Sequence, residues 1–158
     1  MTDEASLERS LCEGARWEDT LAACEALLDK EVQATSGVSG MAVRSGYKVV
    51  RALRPGIVRE LLTMLVPEFC RALEPMYAEA RSRGGDVPAA FEAILRERPD
   101  AVAEALLSVT DARAERAKNK VLRKTYARLR GGAKQHVMAA VPNLARTLRD
   151  LLAIPDDA

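Results

Sequence analysis

Residues 99–134 read PDAVAEALLSVTDARAERAKNKVLRKTYARLRGGAK, an acidic, alanine-rich half that passes through Ser108-Val-Thr-Asp111 into a strongly basic one. Placed at roughly 100° per residue around a helix axis, Val121, Leu122, Thr125 and Leu129 share one arc with Ala114. Arg113, Arg116, Lys120, Arg123, Lys124, Arg128 and Arg130 fall on the opposite side, and only Lys118 is out of place. The earlier apolar positions Val102, Leu106 and Val109 lie on an arc displaced by roughly a quarter to a third of a turn from the later one. One straight helix cannot bury both stripes, so the spacing predicts a break or sharp kink near Ser108-Val-Thr-Asp111. That tetrapeptide has the form of a capping box, and Thr110-Asp111 is a second plausible helix start. Gly131-Gly132 is expected to end the basic helix, because flexible residues after the last periodic leucine suit a C-cap.

Working outward, 158 residues fit one domain able to bury a core without disulfides or metal. Aromatic residues make up only 4% of the chain and alanine, leucine, arginine and glutamate dominate, which favours helix over sheet. The expected fold is all-α: a single-domain, irregular bundle of about seven to nine helices, some of them kinked at proline. A net charge of +1 conceals a block pattern. Residues 1–40 carry −6, 41–66 carry +4, 67–112 carry −4, 113–149 carry +10 and 150–158 carry −3. Such blocks either neutralise each other, within the fold or across an interface, or leave a basic face open to a polyanion.

Cys12, Cys24 and Cys70 are an odd set without a CxxC pair, which argues against a disulfide framework or a zinc knuckle. The longest charge-free apolar run, Leu61 to Val66, is too short to span a bilayer, and the acidic N-terminus lacks a leader's apolar segment. The reading is a cytoplasmic protein with reduced thiols and no membrane insertion.

Along the chain, residues 1–14 read as a loosely attached helix with Leu7 and Leu11 on one face. Trp17, Leu21, Cys24, Leu28 and Val32 mark a helix over 17–33, backed by Glu18, Asp19, Glu25 and Asp29. Thr35 to Gly40 breaks it, with Ser39 expected to cap the next helix. That helix turns Val43, Tyr47, Val50 and Leu53 inward and Arg44, Lys48, Arg51 and Arg54 outward. Gly46 within it suits close approach by another helix. Pro55-Gly56 opens a further element, Pro67 begins or kinks another, and Pro75 bends it. Arg83-Gly-Gly-Asp86 is a loop, 87–97 a short helix presenting Phe91, Ile94 and Leu95, and Pro99 stands at the first helical position of the next. The last helix, 133–152, carries Val137, Val141, Leu144, Leu148, Leu151 and Leu152 inward with a kink at Pro142, and 153–158 is expected to fray. Pro55, Pro99 and Pro142 lie at nearly even intervals, each ahead of a Leu-Leu pair. Their unequal distances to those pairs favour an irregular bundle over a helical repeat.

Gly46-Tyr47-Lys48, Pro55-Gly56, Leu65-Val-Pro-Glu-Phe69, Leu73-Glu-Pro75, Thr110-Asp-Ala-Arg-Ala114, Leu129-Arg-Gly131 and His136-Val137 occur in an order that resembles a family of small uncharacterised bacterial proteins, a domain of unknown function. The resemblance covers roughly residues 36–152. It implies an all-α intracellular protein and transfers no activity, cofactor or catalytic residue.

His136 is the only histidine, which leaves little for acid–base or metal chemistry. A pairing with Asp111 or a cysteine is conceivable, but an isolated histidine beside a lysine, one turn before a core stripe, reads as structural. Nucleophile elbow, Walker loop, dinucleotide fingerprint and His-Glu-x-x-His are all missing. No catalytic, cofactor-binding or metal residue is indicated, and no small-molecule substrate. Thr110 and Asp111 are candidate residues of a structural junction, with Arg113 paired to a nearby carboxylate. The Gly40–Leu53 segment only superficially resembles a helix-turn-helix reader. The expectation is a non-enzymatic interaction module, self-associating as a homo-oligomer or docking a protein partner through its charge-segregated faces. The alternative is sequence-independent binding of nucleic acid or another polyanion by Arg113, Arg116, Lys120, Arg123, Lys124, Arg128 and Arg130.

Overall fold

A computed structural model of the chain describes residues 5–155. Seven α-helices and no strand are found among them: α1 (Leu7–Cys12), α2 (Arg16–Ala34), α3 (Gly37–Arg51), α4 (Ile57–Ser82), α5 (Val87–Glu97), α6 (Pro99–Arg116) and α7 (Lys120–Leu152). α7 is the spine. It packs most extensively on α5 and α6, and α4 crosses α1, α5 and α6 on the other side of the core.

The densest part of that core is built by the short α5 and the C-terminal half of α7. Phe91, Ile94 and Leu95 are wholly buried on α5, facing Val141, Ala145 and Leu148 of α7 within one apolar cluster. Tyr77 of α4 meets Phe91 edge to face, with ring centroids 5.2 Å apart, the geometry that aligns one ring's positive edge with the other's negative face.

The N-terminal helix is fixed in this core rather than loosely attached. Leu7 and Leu11 are both fully buried. Glu74 accepts a hydrogen bond from the Leu7 N–H at 2.8 Å, and the buried Thr20 hydroxyl donates to the Leu11 carbonyl at 2.7 Å. Side chains of α4 and α2 thus satisfy backbone groups that so short a helix leaves open at its ends. Of the tail, residues 156–158 lie outside the described residues, while the Ile154 carbonyl accepts a hydrogen bond from Arg16.

Several helix boundaries depart from the sequence expectations. No break occurs at Ser108–Asp111; α6 runs through it to Arg116. The hydroxyls of Ser108 and Thr110 bond back to the carbonyls of Ala105 and Leu107, as hydroxyls inside a helix do, rather than forward to free N–H groups. The chain breaks instead at 117–119, where Asn119 accepts from the N–H groups of Val121 and Leu122 at 2.9 and 3.2 Å. The basic stretch 113–130 is therefore shared between the end of α6 and the start of α7. Val121 lies at the rim of the inward arc and is 39% exposed. Ser36, not Ser39, stands at the cap position of α3. Pro67 starts no new helix, because α4 continues through both Pro67 and Pro75.

The largest departure is Gly131-Gly132. α7 continues through both glycines, and through Pro142, for 33 residues. A glycine in a helix interior costs about 1 kcal/mol relative to alanine, and tertiary packing on both sides offsets it. Gly46 of α3 is the site of the close approach expected for it: a Cβ there would stand 3.0 Å from Leu129 and Thr125 of α7. α3 is thereby drawn onto α7 just ahead of the glycine pair.

A helical Gly131 with no neighbour within 4 Å of an added Cβ makes a sharp prediction. Gly131→Ala is expected to stabilise the protein by about 0.5–1 kcal/mol, measured by urea unfolding. A glycine capping a helix end in the left-handed region would instead be destabilised by the same change.

Candidate functional site

The ends of α6 and α7 form a hairpin whose two arms are clamped by side chains. Tyr126 and Arg130 are one helical turn apart on α7 and meet Thr110 and Asp111 of α6. The Tyr126 hydroxyl donates to Asp111 Oδ1 and stands 2.8 Å from Thr110 Oγ1. Arg130 donates to both Asp111 oxygens, at 2.8 and 3.2 Å. One turn further along α7, Lys134 reaches Asp100 at 2.6 Å and Glu104 at 2.8 Å. Three carboxylates of α6 thus face two cations and a phenol of α7, which sets the angle between the arms.

Thr110 and Asp111 therefore join two helices from within α6 rather than starting one. The Arg130 guanidinium, and after it the Tyr126 hydroxyl, holds the Asp111 carboxyl below its ordinary value. Partial burial, reinforced by the Asp111 charge, pushes the Tyr126 phenol up.

The seven candidate cations divide into two groups. Arg113 grips Glu68 of α4 with two hydrogen bonds of 2.8 Å, and Arg130 belongs to the clamp, so both serve the fold. Arg116 is exposed and, among the described residues, donates only to the Ala112 carbonyl at 3.4 Å. Lys120, Arg123, Lys124 and Arg128 are exposed, and none has a carboxylate within ion-pair distance among the described residues. At 100° per residue they occupy one arc of α7 about 140° wide, opposite Leu122 and Leu129. Beside them an open groove of about 890 Å³ runs between the arms, lined by Asp111, Glu115, Lys120, Arg123, Lys124 and Arg130 among others.

Among the described residues, the acidic N-terminal block does not cover this face. Glu8 pairs with Arg71 at 2.7 Å, Glu18 and Glu25 both with Arg59 at 3.3 Å, and Asp29 with Arg51 at 3.5 Å. Nor do the arginines of α3 and of the turn after it extend the face, since Arg51 and Arg54 are held by Asp29 and Glu60 and Arg44 turns in to the Thr35 carbonyl.

His136 meets neither Asp111 nor a cysteine; its Nε2 lies 2.6 Å from the Ser39 hydroxyl of α3. The cysteines are free, with Cys12 and Cys70 sulfurs 3.9 Å apart and the Cys24 thiol pushed up to about 11 by burial. No cluster of three or more potential metal ligands occurs among the described residues. No helix among them is long and apolar enough to cross a membrane.

Tyr126 is the residue that the sequence reading overlooked. It belongs to the inner face of α7 by helical spacing, but only the α6 partner reveals that its hydroxyl, and not its ring alone, is in use.

A depressed carboxylate pKa stabilises the folded state above the unfolded value and loses that contribution as pH falls through the folded one. The stability difference between the native protein and Asp111→Asn, measured by urea midpoint, is expected to favour the native protein near neutrality. It should shrink as pH is lowered below 3.8, the ordinary value.

No curated protein and no solved structure matches the chain. A family profile matches residues 7–152, nearly the whole described structure and a longer span than the resemblance seen in the sequence. The chain belongs to the family of unknown function DUF6918.

Proposed function

We propose that the protein binds a polyanion, nucleic acid in the first instance, through the exposed arc Lys120, Arg123, Lys124 and Arg128 at the start of α7. The observation that carries this reading is that these four cations have no carboxylate partner among the described residues, whereas Arg113 and Arg130 beside them do. A cluster of solvated cations on one rigid face attracts phosphate and gains by releasing the counterions that phosphate holds. Lysine and arginine on an arc without free amides or stacking aromatics grip the backbone and leave bases unread, so binding is expected to be independent of sequence.

The competing reading is self-association. In its original form, opposite charge blocks meet across a symmetric interface. That form is weakened, because Glu8, Glu18, Glu25 and Asp29 of α1 and α2 already lie against arginines of their own chain. Exposed pairs of this kind contribute only about 0–1 kcal/mol each, yet they bring the acidic face towards local neutrality. A different observation keeps self-association in play: Val38, Met41 and Val49 of α3 are 87%, 64% and 42% exposed, and their spacing puts them on one side of that helix.

Fluorescence anisotropy with a 30-base-pair duplex and with single-stranded RNA separates the two. Binding is expected at low salt, with log K falling against log salt at a slope of about −3 to −4 for four phosphate contacts. Lys120→Glu, Lys124→Glu and Arg128→Glu together should abolish it without altering the fold. Absence of binding by the native protein at low salt, together with a dimer in light scattering that Met41→Glu dissociates, would transfer the function to self-association.

A further inference from the structure

Three helices line a long cleft on the side of the bundle that α3 roofs. α7 contributes His136, Val137, Ala140, Leu144 and Leu148, α2 the stretch from Cys24 to Thr35, and α4 the stretch from Leu62 to Leu73. The α7 positions form one helical stripe about 18 Å long, and the spans on α2 and α4 are each about 17 Å. The space between them is about 310 Å³. Drawn out over that length, it has a mean cross-section close to that of a single extended hydrocarbon chain.

The lining is apolar and unevenly buried. Leu7, Leu73 and Leu148 are at most 6% exposed and Val32, Leu62 and Val66 at most 8%. Between them Leu28, Val137 and Leu144 are only half-buried, although their positions on their helices are those of core residues. Apolar side chains facing open space lose contact on that side and hold water at an apolar surface, and an apolar occupant relieves both. α3 adds only Val43 to the lining, and its only buried residues are Gly40 and Gly46.

Polar groups gather at the mouth. Ser39 Oγ and His136 Nε2 are 2.6 Å apart there, beneath a helix with no acidic residue; of its cations Arg44 donates to the Thr35 carbonyl and Arg51 pairs with Asp29, while Lys48 is exposed. Glu31 also lies at this end, but its carboxylate accepts a hydrogen bond from Asn143 at 2.5 Å. A ligand matching this layout has one narrow aliphatic tail and one polar, anionic end. With a methylene taking about the room of a water molecule, roughly 30 Å³, the 310 Å³ cleft accepts about ten carbons of tail, with the carboxyl end at the mouth.

We propose that the cleft beneath α3 binds one unbranched acyl chain of this length, its tail lying along α7 towards Leu148 and its carboxyl end at Ser39 and His136. The site is separate from the basic arc of α7 and does not depend on nucleic-acid binding.

Isothermal titration of the whole protein with dodecanoate and with lauroyl lysophosphatidylcholine, each below its micelle concentration, tests this. One-to-one binding of either supports the chain site, and the tighter of the two tells a free fatty acid from a lipid-borne chain. Butanoate is expected to bind at least tenfold more weakly than dodecanoate. Ala140→Phe fills the middle of the cleft and should weaken dodecanoate at least tenfold while the unliganded thermal midpoint holds or rises; Ala140→Leu is the milder form should the larger ring unfold the protein. The proposal is overturned if the native protein binds neither ligand, if binding is many-to-one, or if a folded Ala140 variant binds undiminished.

Discussion

The fold depends on one helix meeting two different environments without a joint between them. The C-terminal half of α7 is locked into the core by Val141, Ala145, Leu148 and Leu151, packed against the fully buried face of α5. Its N-terminal half has no such burial and is held from the side, by Arg130 and Lys134 on the carboxylates of α6 and by the glycine-sized contact with α3. Because the rod is continuous, the well-packed half fixes the direction of the other. The basic arc therefore projects as a rigid surface, and its cations need not surrender conformational freedom of the backbone before meeting a polyanion.

Packing is uneven along the bundle, and the unevenness divides structure from candidate function. At α1 and α5, Leu7, Leu11, Phe91, Ile94 and Leu95 are fully buried. Beneath α3, α2, α4 and α7 leave a cleft, and the residues of α3 that are buried are glycines rather than large side chains. Gly37 at the start of α3 and Gly56 ahead of α4 both take the left-handed region that suits glycine.

Much of the fold was legible because apolar spacing reports which face of a helix is buried, whatever lies opposite. The Leu7/Leu11 face, the 17–33 stripe, the short helix with Phe91, Ile94 and Leu95, and Pro99 as a helix start all follow from local rules and match the structure. The misplaced boundaries share one cause. Ser108, Thr110 and Gly131-Gly132 carry local signals for a cap or a stop, and contacts distant in the chain overrule them: Tyr126 meeting Thr110, and α3 and α6 packed along α7. Asn119 is a strong cap residue, but the basic periodicity that runs across it masks the boundary. Residue type and helical spacing place the candidate cations on one face, but their division into structural and free members requires knowing where Glu68 and Asp111 lie.

Continuity of α7 through the glycine pair is most directly tested by native-state amide hydrogen exchange, resolved residue by residue across 127–137. A single helix gives slow exchange at Gly131, Gly132 and Ala133, with opening free energies grading smoothly into those of the core residues that follow. Fast, unprotected exchange at these three amides between two protected segments would mean two jointed helices, and the rigid projection of the basic arc would be lost with the joint.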